Sequence, residues 1–378
     1  MKLNPSELLV IKTIQQSDGV SRKAIADKTG LSQASITNIS KVLLEQKYII
    51  EGNRIGNGLG RKEVLLYPNP DKFCFLGVDI GGYRVRLALA DHNLEISHEQ
   101  EFLMDEFEGK ENVLEELMAR IDSFLSVSQR EKVDAIGVGV TGIINTERSE
   151  ILNIPNCKGW DNVNIRHVLK QRYACPVYLE ESGRAMAYAE KMLGKAKAVN
   201  DFIVVHIAFG VVAGIFINGQ PLRGLNNVAG LLGHITVDDT SYRCLCGNYG
   251  CLETTVTYPM LEEEYQKKES DGRLLLDAYR MNNKNALDVC VTGGKSIGVV
   301  LSNVINLFNP AAIYVGGPVF DHFPLLFEEV KRTILLRANR FATVGMKLEK
   351  STFHDRQGVM GALALAGNFY LSEDIEQI

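Results

Sequence analysis

The chain has 378 residues, with 41 Lys/Arg against 46 Asp/Glu for a formal charge of −5, and 46 % of it is hydrophobic. That length suggests two or three domains, each large enough to bury its own core. No uninterrupted apolar run approaches the ~20 residues that a membrane-spanning helix needs. The opening MKLNPSELLVIKTIQQSDG mixes charges into its apolar residues and has no small-residue cleavage site, so it does not read as a signal peptide.

Charge is unevenly spread. Residues 1–66 carry ten Lys/Arg against six Asp/Glu, a net of +4, which leaves −9 for the remainder. A basic head on an acidic body suits a nucleic-acid-binding module joined to something else.

In the head, Leu8, Ile11 and Ile14 recur at helical spacing, and Asp18-Gly19 ends that helix. Ser21 is placed to cap a second helix, SRKAIADKTG, that stops at Gly30, and Ser32 to cap a third, SQASITNISKVLLEQK. The third helix turns Ile36, Ile39 and Leu43 inward. Gln33, Ser35, Thr37, Asn38 and Lys41 lie largely off that face, as a helix that reads base edges in the major groove requires. The next segment, YIIEGNRIGNGLGRKEVLLYPNP, reads as a hairpin with a glycine-rich tip followed by Arg61 and Lys62, two cations that can reach phosphate. Residues 1–70 are therefore expected to form a winged helix-turn-helix domain whose partner is double-stranded DNA.

From Phe73 the pattern becomes α/β. FLGVDIGG runs into glycines and is followed by the strand pattern YRVRLALADHNLEI. The same arrangement returns about 127 residues later as FIVVHIAFG and VVAGIFINGQPL. Duplicated strand–glycine turn–strand units characterise two-lobed phosphotransferases, where each turn approaches a phosphate. Between and after them come DAIGVGVTG and NLFNPAAIYVGGPVF, each a buried strand leading to a turn.

His234, Cys244, Cys246 and Cys251 fall within eighteen residues, in GHITVDDTSYRCLCGNYGCLE. One imidazole and three thiolates make a closed tetrahedral shell for zinc, with no open position for catalysis, so the ion is expected to be structural. The other cysteines, Cys74, Cys157, Cys175 and Cys290, are scattered, which suits a reducing cytoplasm rather than a disulfide framework.

TGLSQASITNISKVLLEQKYI, DIGG, GVTG, NIPNCKGW, CLCGNYGCLE and NPAAIYVGG together resemble the ROK family of bacterial sugar kinases and transcriptional repressors, on its repressor branch and over nearly the whole chain. The resemblance implies a two-lobed ribonuclease H-like body of the actin/hexokinase type behind the head. Its small lobe would span 71–180 plus 356–378, and its large lobe 181–355 with the zinc. It also implies a sugar or sugar-derivative effector and a homodimer or homotetramer.

The departures from the kinase pattern matter more. Where active members read D-x-G-G-T, the chain keeps Asp79, Gly81 and Gly82 but has Tyr83 at the threonine position. In place of G-T-G-x-G-x-G it reads AFGVVAG, with Ala208, Phe209 and Val212. Where kinases carry E-N-D-A-N, the general-base position is Ser182, whose hydroxyl cannot take a proton at neutral pH. No catalytic residue and no kinase activity are therefore expected. For an effector, the resemblance implies Gly142, Asn156, Glu181, His234 and Glu253, with Trp160 along the cleft. Leu231 replaces the Glu of E-x-G-H and removes one hydroxyl acceptor. The rival readings are a sugar kinase with an appended head and a regulator controlled by a protein partner.

Overall fold

The computed structural model describes residues 3–370 except 16, 18, 56–62, 108–111, 131, 146–149, 156, 239–241 and 270–271. The head comprises α1 (Pro5–Gln15), β1 (Val20–Ser21), α2 (Arg22–Thr29), α3 (Gln33–Glu45), β2 (Ile49–Ile55) and β3 (Glu63–Pro68). Local chemistry sets its boundaries. The Ser21 side chain accepts from the Ala24 N–H to start α2, Gly30 ends that helix in the left-handed region at φ 72°, and Ser32 accepts from the Ser35 N–H to start α3. Val10, Ile11, Ile14, Ile25, Ile36, Leu43 and Leu66 close a core between the three helices and an antiparallel sheet of order β1-β3-β2.

The body opens with β4 (Phe75–Ile80), β5 (Arg84–Ala90), β6 (Ile96–Leu103), α4 (Val113–Val127), β7 (Ala135–Val140), β8 (Ile143–Asn145), β9 (Glu150–Asn153), α5 (Ile165–Tyr173), β10 (Val177–Glu181) and α6 (Ser182–Met192). It continues with β11 (Phe202–Ile207), β12 (Val211–Ile217), β13 (Gln220–Pro221), α7 (Glu253–Val256), α8 (Tyr258–Lys268), α9 (Leu275–Arg280) and α10 (Lys284–Phe308). The last elements are β14 (Ala312–Gly316), α11 (Pro318–His322), α12 (Pro324–Arg337), α13 (Arg340–Thr343), β15 (Lys347–Lys350) and α14 (Gln357–Tyr370).

Two five-stranded sheets carry the body, of order β10-β7-β4-β5-β6 and β13-β12-β11-β14-β15. Each is built on an antiparallel hairpin, β4/β5 or β11/β12, whose first strand also pairs in parallel with a later one, β7 or β14. The duplicated strand–turn–strand units of the sequence thus occupy matching places in matching sheets. β4 and β7 are buried along their whole length, which matches the apolar run of β7 and of β4 up to Asp79.

Helix α14 fills the space between the first sheet and α6. A Cβ on Gly137 would sit 1.8 Å from the Ala362 carbonyl oxygen, and one on Gly361 would sit 2.7 Å from the Ala185 carbonyl carbon, so these glycines let the backbones meet. The far end of α14 presents Tyr370 edge-on to Phe73 and Phe75 at 5.6 Å, and Phe73 lies 5.5 Å from Tyr48 of the head. By length and composition α10 could cross a membrane, but it is a core helix, largely buried beside α12.

Candidate functional site

The first glycine turn joins β4 to β5, and the second joins β11 to β12. They face one another across a cleft of about 400 Å³ between the sheets. Tyr83 from the first turn and Phe209 from the second stack face to face, centroids 3.8 Å apart and planes within 3°. Each is 43 % exposed, so the pair forms a partition standing in the cleft. These are the two positions where the kinase pattern has threonine. Two rings now occupy the space that short hydroxylated side chains would leave to a phosphate.

The same cleft is lined by Asp79, Arg86 and His206. Arg86 Nε stands 3.6 Å from Asp79 Oδ2, with both side chains buried. Burial raises the Asp79 carboxyl above its ordinary range, against the pull of Arg86 and Arg84. His206 Nδ1 lies 2.7 Å from Gln357 Oε1, a contact in which the ring donates to the amide oxygen. Burial pushes His206 down to about 4, so its imidazole is neutral near pH 7. Gln357 is the first residue of α14, and a Cβ on the next residue, Gly358, would meet the Asp79 carboxylate at 2.1 Å. The cleft floor and the start of α14 are therefore in direct contact.

Ser182, at the general-base position, is buried with its hydroxyl 2.9 Å from that of Thr141. Glu181 ends β10 and is the N-cap of α6, its carboxylate accepting from the N–H groups of Gly183 at 2.7 Å and Arg184 at 3.1 Å. Burial raises its pKa, opposed by Arg184 and those two backbone donors. Much of its acceptor capacity is thus spent on the helix. Glu253 Oε2 accepts from the Val211 N–H at 3.1 Å, which ties the first turn of α7 to the second glycine turn. Gly142 packs so tightly that a Cβ would lie 2.3 Å from the Asn153 carbonyl oxygen.

Trp160 does not line the cleft. It is fully buried in the core of the first lobe, its ring centroid 5.9 Å from that of Phe107, because so large an apolar ring gains most by leaving water. Asn156 lies outside the described residues, as do Arg61 and Lys62.

A polar network at this end of the cleft has no signal in the sequence motifs. Arg184 is completely buried and donates to Glu180 Oε1 at 2.9 Å and to the carbonyls of Asn227 and Ala229. Arg223 pairs with Glu180 Oε2 at 2.7 Å. Together they pin the segment 223–231, which leads through the half-exposed Leu231 to His234.

The ligand atoms of His234, Cys244, Cys246 and Cys251 all lie within 4.8 Å of one another. Cys244 Sγ is 3.6 Å from His234 Nδ1, and Cys246 Sγ is 3.6 Å from Cys251 Sγ. A tetrahedral zinc with Zn–S bonds of about 2.3 Å has sulfur–sulfur edges of roughly 3.8 Å, so the donor set fits that ion. Gly247 (φ 97°) and Gly250 (φ 69°) supply the left-handed turns that fold the chain around it.

In the head, Gln33, Thr37 and Lys41 follow at intervals of four along α3 and are exposed together with Asn38. Ser35 is half-buried, its hydroxyl 2.9 Å from that of Ser32, and so belongs to the helix cap rather than to this stripe. The Thr37 hydroxyl donates to the Gln33 carbonyl at 2.8 Å and keeps its acceptor lone pairs outward.

A xylose repressor of Caldicellulosiruptor bescii is 30 % identical, over 97 % of this chain and 96 % of its own length. The solved structure of a ROK family transcriptional regulator, a homologue of the Escherichia coli MLC protein, is 26 % identical and superposes with a TM-score of 0.79, covering 97 % of this chain and 96 % of that one. A ROK family glucokinase from Streptomyces griseus, solved with glucose and AMPPNP, is similar in fold at 23 % identity and a TM-score of 0.69, covering 78 % of this chain and 99 % of its own. The ROK family profile matches residues 75–368, well over half of the chain. With both sheets, both glycine turns and the Cys₃His cluster in place, the chain belongs to the ROK family.

Proposed function

We propose that this protein is a DNA-binding transcriptional repressor of carbohydrate uptake or catabolism genes, controlled by a sugar or sugar derivative and without kinase activity. The reading rests above all on the Tyr83–Phe209 stack, which fills the phosphate turns of a kinase-like cleft while a polar helix stands exposed in the head. The repressor names of relatives matched along nearly their full lengths support it. Residues 1–70 form a winged helix-turn-helix. Gln33, Thr37 and Asn38 read base edges, and Lys41, Arg61 and Lys62 meet phosphate. Ser35 holds the helix start. The small lobe is 71–180 with 356–378, and the large lobe is 181–355.

One head reads a half-site, so a pseudo-palindromic operator calls for a homodimer or a homotetramer. Zinc bound by His234, Cys244, Cys246 and Cys251 is structural: it fixes the segment that carries His234 and leads into Glu253. The effector's hydroxyls donate to Glu253 and to the remaining lone pairs of Glu181, with Gly142, Asn156 and His234 around it. An effector that favours one lobe arrangement shifts the separation of the heads. The protein works in the cytoplasm, where its thiols stay reduced.

The test is to pass fragmented genomic DNA over the purified protein, sequence what is retained, and screen pentoses, hexoses and amino sugars for release. Enrichment of a two-fold symmetric site beside sugar genes is expected. Retention no better than that of random DNA would reject the reading.

A further inference from the structure

Each glycine turn of the cleft is fastened to its own half of the body. In the first, the Tyr83 carbonyl accepts from the Met104 N–H at 2.8 Å, and the Cys157 thiol donates to the Gly82 carbonyl at 3.7 Å. In the second, the Ala208 carbonyl accepts from the Tyr258 N–H at 2.7 Å, and the Val211 N–H donates to Glu253 Oε2 at 3.1 Å. The stacked rings of Tyr83 and Phe209 join one anchored turn to the other. Short side chains at these two positions would not reach across. Because neither turn hangs free, the stack persists only while the two halves keep their present separation.

The halves also meet along α6, and that contact is of a different kind. Helix α6 packs on α14 from the first half and on β12 from the second. A Cβ on Gly214 would lie 2.1 Å from the Gly183 carbonyl oxygen, and one on Gly183 would lie 2.6 Å from the Ala213 carbonyl carbon. Backbone touches backbone there, in packing too close to slide without a cost to the core. The His206–Gln357 bond, at the start of α14, crosses between the halves as well. The rings, by contrast, are each 43 % exposed and meet only by their faces. Rotation about α6 would part them at modest cost.

We propose that the Tyr83–Phe209 stack is an internal latch that holds the cleft shut in the effector-free protein, and that Glu253 is the lever that releases it. The release rests on the reading of Glu253 as an effector contact; the latch rests on the geometry alone. Val211, whose N–H is tied to the Glu253 carboxylate, stands two residues from Phe209. An effector hydroxyl that donates to this carboxylate draws on the charge that holds the Val211 N–H, so binding loosens the turn that carries the ring. A half-exposed aromatic pair biases an equilibrium by roughly two- to tenfold. A ligand with a comparable preference for the open arrangement reverses that bias.

The experiment is amide hydrogen exchange, read by mass spectrometry on the full-length protein without DNA or sugar. Each turn holds a reporter: the Gly81 N–H donates to the Arg84 carbonyl at 2.9 Å, and the Ala208 N–H to the Gly210 carbonyl at 3.0 Å. The variants are Tyr83→Ala, Phe209→Ala, the pair together, Tyr83→Phe and Glu253→Ala. Zinc content and thermal melting verify that each folds; a misfolded ring deletion is replaced by Tyr83→Leu or Phe209→Leu. A latch requires reciprocity. Tyr83→Ala is expected to speed exchange in the second turn and Phe209→Ala in the first, by roughly two- to tenfold. The double variant should exceed neither single one, and Tyr83→Phe, which keeps a ring, should match the wild type. Glu253→Ala should speed exchange across the cleft, in the first turn. Ring deletions that each disturb their own turn alone overturn the latch, and a first turn indifferent to Glu253→Ala overturns the lever. Because the measurement uses neither DNA nor sugar, a failed operator search and a failed latch are told apart.

Discussion

The rings of Tyr83 and Phe209 lie parallel across the cleft, one from each glycine turn, at a centroid distance of 3.8 Å. A phosphoryl group entering between the turns would have to part them. Phosphoryl transfer depends on positioning and charge stabilisation more than on covalent chemistry, so restoring a base alone does not restore turnover. With ATP, magnesium and a panel of hexoses and pentoses, a coupled ADP assay is expected to show no turnover for the wild type or for Ser182→Asp. Turnover by the wild type would place the protein among the kinases. Turnover by Ser182→Asp alone would show that the stack yields to nucleotide.

The exposed stripe on α3 separates two kinds of serine and threonine. Thr37→Ala and Asn38→Ala are expected to cost about 1–3 kcal/mol on the specific site and little on random DNA. Ser35→Ala, whose hydroxyl is engaged with Ser32, is expected to leave sequence preference unchanged. Titrations on the retained genomic site and on a scrambled duplex at fixed salt check this. Equal losses on both duplexes for the first two variants would remove them from base readout.

About one zinc per chain is expected in protein purified without chelator. Cys246→Ser takes one thiolate from a donor set whose edges suit a tetrahedral ion, and metal binding at such sites is coupled to folding. Elemental analysis and thermal melting should show metal content and stability falling together. Zinc-free wild type with an undiminished melting temperature would rule out the structural ion.

His206 gives a signed pH dependence. Its folded pKa of about 4 lies below the ordinary 6.5, so between these values the unfolded chain binds the extra proton. Stability is then fully present above about pH 6.5 and is lost as pH falls toward 4, by on the order of 3 kcal/mol for a shift of this size. Asp79, whose pKa is raised by burial against the pull of Arg86 and Arg84, acts in the opposite direction. Denaturant melts of the wild type and His206→Gln at several pH values should show a shallower acid loss in the variant. Parallel curves would assign the loss to other groups.

Gly137 and Gly82 make a contrasting pair. A methyl at 137 would run into the Ala362 carbonyl, whereas one at 82 meets nothing within 4 Å. Gly137→Ala is expected to destabilise by about 3 kcal/mol and Gly82→Ala by far less, as overpacking against backbone cannot relax cheaply. Denaturant midpoints report the difference.

Much of the head could be read from the sequence because its signals are local: Ser21, Ser32 and Gly30 cap helices through bonds to residues three or four away. The Cys₃His cluster was readable for the same reason, since its donors fall within eighteen residues. What escaped were relations across the fold. Tyr83 and Phe209 each look like a lost threonine, and nothing in either segment says that they meet. Trp160 beside glycine and lysine reads as a cleft residue until Phe107 is seen beneath it. Glu181 reads only as a ligand contact until α6 starts at the next residue and draws two bonds from its first turn to that carboxylate. Arg184 sits in a stretch whose motif carries no arginine, and its acceptors at Asn227 and Ala229 are more than forty residues away.

Helix α14 is the last described element, yet it belongs to the sheet formed first, reaching from Gln357 in the cleft to Tyr370 beside the head. Synthesis from the N-terminus therefore delivers the three helices of the head some three hundred residues before the lobe beneath it can close. During that interval the growing chain holds the head proposed to read DNA but not the finished cleft proposed to take the effector. A stop before α14 or early within it would leave that condition permanent, so such alleles should behave as regulators deaf to their signal, or be cleared as misfolded chains.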